Sequence, residues 1–414
     1  MKRIITYLFL LFTFSVFSQK QITLEECYQL VVKNYPLAKQ KVIFEKQNSL
    51  DVAIINTEKL PKINLSAQAT YQSDVIGLPI ASIIPPNKDQ YRTTISATQL
   101  IYAGGVLKAR KEVKNASFKT RKKEIEVSLY QLKARVNQLY FSIILAQENR
   151  NLLSSKQKQL ESKLKEVKSG IKNGMVLPIS DKVIEVQLLK IAQQFVEIDK
   201  KKDVLIANLS ALIGEKIIAS LNFKIPPITT IFSSDLKRPE LGLFQLKKDE
   251  IEASKNVLSK KNAPKVIGFV NGGYGNPGLN MLDNSFQPFY TVGVKLNWNV
   301  FDWNATKKQQ EAMIINNEII DNQTEVFKLN TGIALKTLEI EIEKMEAFIK
   351  TDKKMILLRE DVLKSAASQL KNGVITATAY LTEVSNLYED KSRLVTHYIQ
   401  LTLAKANYNN TQGK

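Results

Sequence analysis

A chain of 414 residues is long enough for two or three ordinary domains. It carries 59 Lys and Arg against 40 Asp and Glu, a formal charge of +19. The cations are mixed with Glu along the chain and form no single stripe, which argues against a nucleic-acid protein. The lone Cys27 excludes an internal disulfide, and with one histidine, His397, no Cys/His zinc cluster can form.

The first residues, Met1-Lys2-Arg3, precede an apolar run from Ile4 to Phe17 and then Ser18-Gln19-Lys20. That order predicts a secretory signal peptide over residues 1–18. The apolar run is short for a membrane-spanning helix, and no later segment holds the roughly 18 apolar residues such a helix needs. Thr23-Leu24-Glu25-Glu26 has capping-box spacing and predicts a helix running to about Lys59. Pro36 should kink it, because it lacks an amide donor. Cys27 is expected to be half-buried on this helix.

From Lys62 the period becomes two. Ile63, Leu65, Ala67, Ala69 and Tyr71 alternate with Lys62, Asn64, Ser66, Gln68 and Thr70. Strands are expected at about 62–72 and 91–102. Residues 106 to about 170 contain no proline and favour helix throughout, roughly 95 Å at 1.5 Å per residue. Such a length predicts a coiled coil rather than a globular core. Asn173-Gly174 should end the helix, since glycine can take the left-handed conformation. A second helix then returns from Pro178 to about Gly214.

The series then repeats. Lys172-Asn173-Gly174 recurs as Lys371-Asn372-Gly373, an offset of 199, and Pro61-Lys62-Ile63 matches Pro264-Lys265-Val266 at 203. The four-residue difference falls between Val75–Asp89 and Gly275–Pro288, which both read as strand-to-strand loops. The first repeat is 19–236, with a helical hairpin at about 106–210. The second is 237–414, with a helix starting near Pro239, strands at about 265–274 and 289–301, and a helical hairpin at about 304–408. Tyr290, Val292, Val294, Leu296, Trp298 and Val300 form one face of the last strand, and Lys295 and Asn297 belong to the other, the lumen side. Ile267 and Phe269 fall on that same side. Tyr91, Tyr274, Phe289, Tyr290, Trp298 and Trp303 sit near strand ends and read as interfacial aromatics.

The fold class is therefore mixed: a duplicated β-hairpin plus long antiparallel coiled-coil helices. Four strands with lipid on one side cannot stand alone in a bilayer, because the open edges leave amides without partners. A barrel needs about eight strands, so the chain should supply a third or a half of a shared one. The competing reading is a coiled-coil structural or adhesion protein of the envelope, which would need no alternating strands.

The ordered, repeated series carries a resemblance. Leu30…Asn34-Tyr35-Pro36-Leu37, then Gln99-Leu100-Ile101-Tyr102-Ala103-Gly104-Gly105, then Asn173-Gly174-Met175 is similar to the TolC-type outer-membrane efflux family. The resemblance implies a homotrimer with a twelve-stranded outer-membrane β-barrel continued by a periplasmic α-barrel. It implies a passive conduit of a tripartite efflux or secretion system, and no enzyme. The implied partners are outer-membrane lipid, a periplasmic adaptor protein, and an inner-membrane pump of RND or ABC type. Adaptor docking maps to the hairpin tips, Asn173, Gly174 and Met175 with Asn372, Gly373 and Val374. The aspartate ring found beyond the second tip in some members maps to Ala379 and Thr382, so that gate is missing. Asp181 and Glu383 are the nearest acids and stand with Ala379 and Thr382 as the entrance-constriction candidates, against the commoner reading of ordinary solvated charges; closure is expected to rest on packed side chains.

No cofactor, metal or catalytic residue is expected. Gly273-Tyr274-Gly275-Asn276-Pro277-Gly278 spells a glycine-rich dinucleotide pattern, but Pro277 within it and Asn280 after it stand where a helix would be required.

Overall fold

The computed structural model describes residues 22–77, 85–218, 221–233 and 235–414. The signal-peptide segment, and residues 78–84 of the first strand loop, lie outside these. Among the described residues, seven α-helices and four strands follow in chain order: α1 (Leu24–Asn34), α2 (Gln40–Thr57), β1 (Lys62–Tyr71), β2 (Asp89–Tyr102), α3 (Val106–Lys172), α4 (Ser180–Ile213), α5 (Pro239–Ser259), β3 (Lys265–Asn276), β4 (Gln287–Asn297), α6 (Ala305–Lys371) and α7 (Ala377–Gln412).

Thr23 caps α1 as its spacing predicts. Its hydroxyl accepts from the Glu26 amide at 3.2 Å, and the Glu26 carboxylate accepts from the Thr23 amide at 2.7 Å. At Pro36 the α-helix gives way to a 3-10 turn, Pro36–Lys39, before α2 resumes. Cys27 is fully buried rather than half-buried, because it faces inward with Leu24 and Val31 on the apolar side of α1.

The chain divides into two compact units, each drawing on both repeats. The repeats of the sequence are thus not the units of packing. One unit comprises the described residues of Met1–Lys39, with Glu126–Pro239 and Phe327–Lys414. Its core is a set of heptad seams. On α6, Leu335, Ile342, Ile349, Ile356, Leu363 and Leu370 are all buried at intervals of seven. On α3, Ala146, Leu153, Leu160 and Val167 repeat the spacing. A strict seven-residue repeat keeps one face of a 3.6-residue helix toward its partner only if the helices supercoil left-handedly. Toward the hairpin tips these seams meet Ile184, Ile191, Tyr380, Val384 and Leu387 of α4 and α7. At the other end, Tyr140, Phe141 and Ile144 of α3 pack with α1, with Leu209 and Ile213 of α4, and with Phe223. The segment carrying Phe223 is held by a reciprocal pair: Gln147 donates to the Phe223 carbonyl at 3.1 Å and accepts from its amide at 3.2 Å.

The other unit comprises Gln40–Ile125 and Glu240–Val326. It holds a four-stranded antiparallel sheet in the order β1-β2-β3-β4. The strands have 10, 14, 12 and 11 residues, near the length a tilted membrane strand requires. β4 ends at Asn297, earlier than the expected 301. Its partner β3 begins at Lys265, and Pro264 before it has no amide to extend the ladder. Helix pairing here is largely polar. Arg110 and Glu58 lie 2.6 Å apart, Lys114 and Asp51 3.0 Å, and Lys248 pairs with Asp321.

The strand-to-helix junctions share one backbone geometry. Gly104 and Gly105 have φ of 61° and 84° before α3; Trp303 and Asn304, 199 residues on, have φ of 56° and 60° before α6. The second junction keeps a left-handed pair without glycine. Asp302 supports it, accepting from the Thr306 amide at 3.0 Å and from Asn262 at 2.6 Å. These bonds, the Thr306 hydroxyl's first, hold the Asp302 carboxyl down to about 2.

Candidate functional site

Two places carry the sequence-derived candidates: the sheet faces and the hairpin tips. The register fixes the faces, since residues directly opposite across an antiparallel ladder project to the same side. One face holds the rows Ile63, Ala97, Val270, Val292 and Leu65, Ile95, Gly272, Tyr290. Its large side chains are open to the surroundings, with Leu65 at 75% and Tyr290 at 79% exposure. An apolar sheet face of that size is not left in water by a stable monomer.

The opposite face holds the rows Asn64, Ser96, Asn271, Thr291 and Gln68, Arg92, Gly275, Gln287. Lys295 and Asn297 belong to this polar face, opposite Ile267 and Lys265. Of the two apolar residues expected on this side, Ile267 lies opposite Lys295, and Phe269 has a glycine partner, as does a second ring of this face, Phe289. The Phe269 ring lies over Gly293, where an added Cβ would meet its Cζ at 2.7 Å. The Phe289 ring lies over Gly273 in the same manner, at 2.5 Å. Each ring covers backbone that the glycine across the strand leaves bare, and Arg92 stacks over Phe289 at 5.4 Å. Phe289 is therefore not an interfacial aromatic of the outer face, as its position near a strand end suggested. Its register decides the side, and proximity to a strand end does not. Tyr91, Tyr274, Tyr290, Trp298 and Trp303 are exposed. Nothing in the dipeptide spacing could have shown the Phe-on-Gly pairs without the register.

Among the described residues, the edge strands β1 and β4 have no second neighbour. Each unpaired edge group left in hydrocarbon costs several kcal/mol.

At the tips, both long helices end in the same six-residue motif. The Met175 amide donates to the Gly170 carbonyl at 2.9 Å and the Gly174 amide to Ile171 at 3.1 Å; Val374 and Gly373 repeat these bonds to Gln369 and Leu370 at 2.9 and 3.1 Å. Gly174 and Gly373 have φ of 69° and 70°, the left-handed position of a Schellman cap. The two tips lie side by side, since a Cβ on Gly373 would stand 2.8 Å from the Met175 carbonyl. Met175, Leu177, Ile179 and Val374 are exposed around them.

Ala379 and Thr382 are exposed on the first turns of α7, whose N-cap Thr376 accepts from the Ala379 amide at 3.2 Å. The two acids are not solvated charges. Glu383 accepts from Arg359 at 3.2 Å and Asn386 at 3.4 Å. Arg359 also reaches the buried Asp390 at 3.3 Å, so one guanidinium joins α6 to two carboxylates of α7. Asp181 lies in the first turn of α4, where the helix dipole favours an acid, and its side chain is only 17% exposed. In the same hairpin Glu185 accepts from Lys168 of α3 and Lys182, each at 2.8 Å. Those two hydrogen bonds hold its carboxyl down to about 2. Sequence spacing carried no sign of these cross-helix partners.

His397 sits 2.6 Å from the buried Asp352 carboxylate and against the Phe348 ring. Among the described residues no group of His, Cys, Asp and Glu could hold a metal ion. Gly273–Asn276 runs as strand into a loop, so the glycine pattern has no helix to cradle a phosphate on.

A sheet that exposes one apolar face leads into unbroken 67-residue helices. Solved structures share this fold. The chain is similar to the outer-membrane protein VceC from Vibrio cholerae, at 13% identity and a TM-score of 0.67, covering 94% of this chain and 96% of that one. It is similar to the CmeC outer-membrane channel of Campylobacter jejuni, at 15% and 0.65 over 95% and 86% of the two chains. It is also similar to the open state of the MtrE outer-membrane channel of Neisseria gonorrhoeae, at 13% and 0.67 over 94% and 88%. At these identities the likeness establishes the fold. Residues 46–215 match the outer membrane efflux protein family. No curated protein matches the sequence.

Proposed function

We propose that this chain is one subunit of an outer-membrane efflux channel, a passive conduit from a periplasmic adaptor and inner-membrane pump to the exterior. The observation that carries this is the four-stranded sheet, apolar and exposed on one face, polar on the other, and unpaired at both edges among the described residues. Burying the edges and the apolar face together calls for a closed barrel in lipid. Three copies supply twelve strands. The two repeats, 19–236 and 237–414, each give a strand pair and a helical hairpin, and the matched junction and tip geometries 199 residues apart support that division. The helices reach into the periplasm in this reading.

The exposed Met175, Leu177, Ile179 and Val374 beside Asn173, Gly174, Asn372 and Gly373 suit docking of an adaptor. The pump is of RND or ABC type, and no nucleic acid is involved. Lys295 and Asn297 face the lumen. Closure of the entrance rests on packed tip side chains around Ala379 and Thr382, since Asp181 and Glu383 already have partners inside their own hairpins. Changing Asp181 or Glu383 alone should leave the closed conductance unchanged in planar bilayers; a large open conductance from either would contradict this.

The deciding experiment is the native mass of the detergent-purified protein together with its membrane partition. Three copies that remain with outer membranes through salt and urea extraction support the conduit. Release by high salt as a soluble monomer or dimer would transfer the chain to the envelope coiled-coil class.

A further inference from the structure

The polar face of the sheet is charged in one sense only. Its positions on β1 are Lys62, Asn64, Ser66, Gln68 and Thr70; on the other strands they include Arg92, Lys265 and Lys295. No Asp or Glu occupies any strand position of this face. Asp89, the one carboxylate within the four strands, pairs opposite Tyr71 and so projects to the apolar side.

Three of the four cations are gathered at one end. Lys62 shares a row with Thr98, Phe269 and Gly293; Lys295 lies in the next row with Ile267 and Leu100; Lys265 lies in the one after, opposite Asn297. Rows on one face are two residues apart, about 6.7 Å, so the three ammonium groups occupy a band about 13 Å deep. This is the end where α2 and α5 enter the sheet. None of the three lysines has an ion-pair partner among the described residues. The carboxylates nearest the band along the chain are taken: Glu58 by Arg110 at 2.6 Å, and Asp302 by Asn262 and Thr306.

We infer that Lys62, Lys265 and Lys295 form an anion-selective band in the barrel wall, so that the conduit favours small anionic solutes over cationic ones. The inference rests on the barrel reading above, which turns this face toward the lumen. Unpaired like charges around a water-filled bore concentrate counter-ions and repel co-ions over a Debye length, about 10 Å at 0.1 M salt and about 3 Å at 1 M. Three subunits place the same band at the same height all round the bore. The floor between the lysines is mostly apolar, made by Phe269, Ile267 and Leu100; the polar side chains opposite Lys62 and Lys265 are the neutral Thr98 and Asn297, and no carboxylate lies among them.

The test is the reversal potential of the full-length protein in planar bilayers under a KCl gradient around 0.1 M. Wild type should pass chloride in preference to potassium, with the preference fading near 1 M. The K62Q/K265Q/K295Q variant should lower the chloride-to-potassium permeability ratio several-fold, and K295E should lower it further while keeping the same oligomer on a native gel. If the triple variant does not assemble, the three single Gln variants give the same reading in smaller steps. A wild-type ratio at or below one, or a ratio unmoved by the substitutions, overturns the anion band and leaves the conduit standing. A detergent-purified protein that is a soluble monomer or dimer released from membranes by high salt removes the conduit reading, and this inference with it.

Discussion

The two tip glycines occupy equivalent places in the repeats, yet they should respond differently to the same change. Alanine in the left-handed conformation costs about 1–2 kcal/mol per residue. At Gly174 nothing lies within 4 Å of an added Cβ, so Gly174→Ala should carry that conformational cost alone. At Gly373 the added Cβ would stand 2.8 Å from the Met175 carbonyl, a backbone atom that cannot rotate aside. Gly373→Ala should therefore add a displacement of the first tip to its own strain. In local opening, about 1–2 kcal/mol is a factor of about 5–30. Hydrogen exchange read by mass spectrometry on the purified protein separates the cases. Gly174→Ala should accelerate exchange in peptides covering 170–177 and spare 369–376. Gly373→Ala should accelerate both, and its effect on its own tip should exceed that of Gly174→Ala. Equal, strictly local effects would refute the contact between the tips.

Four further outcomes follow from the geometry. Burial, with the nearby Glu26 adding to it, pushes the Cys27 thiol up to about 12, so maleimide should not label native protein at pH 8 and should label it fully in denaturant. Arg359→Ala strands two carboxylates; breaking a buried pair costs about 3–5 kcal/mol, reduced here because the guanidinium is a third exposed. Pulse proteolysis between α6 and α7 should report that loss, and Arg359→Ala with Asp390→Asn should recover part of it. Lys156 is buried over the Tyr388 ring at 4.6 Å, and desolvation lowers its pKa despite Glu389. Its folded pKa lies below the unfolded one, so the folded state holds fewer protons and stability rises with pH in that window. Lys156→Met should remove that slope in denaturant melts followed by circular dichroism. Phe269→Ala bares the backbone at Gly293, and cross-strand pairs of this kind contribute about 0.2–1 kcal/mol each. The oligomer should then dissociate at a lower temperature on heated gels, and no change would count against the ring's role.

Much of this protein is written in local pattern. Thr23 and Glu26 announce α1 because a capping box needs only four residues. The period-two alternation of Ile63 to Tyr71 announces a strand because successive side chains alternate sides. Heptads such as Leu335 to Leu370 and the Asn-Gly stops at 173–174 and 372–373 define the long helices, and self-comparison at 199 residues reveals the repeats. All of these depend on neighbours along the chain. What depends on neighbours in space was decided only by the tertiary structure. The end of β4 follows from Pro264, which precedes its partner strand β3. Phe269 and Phe289 make sense only once register lays them on Gly293 and Gly273. Cys27 is wholly buried because α3 and α4 close over it. Glu383 and Asp181 changed from free charges to tied ones because Arg359 and a helix start reach them. The compact units cut across the repeats because burial follows contact between helices, and contact is not ordered by sequence.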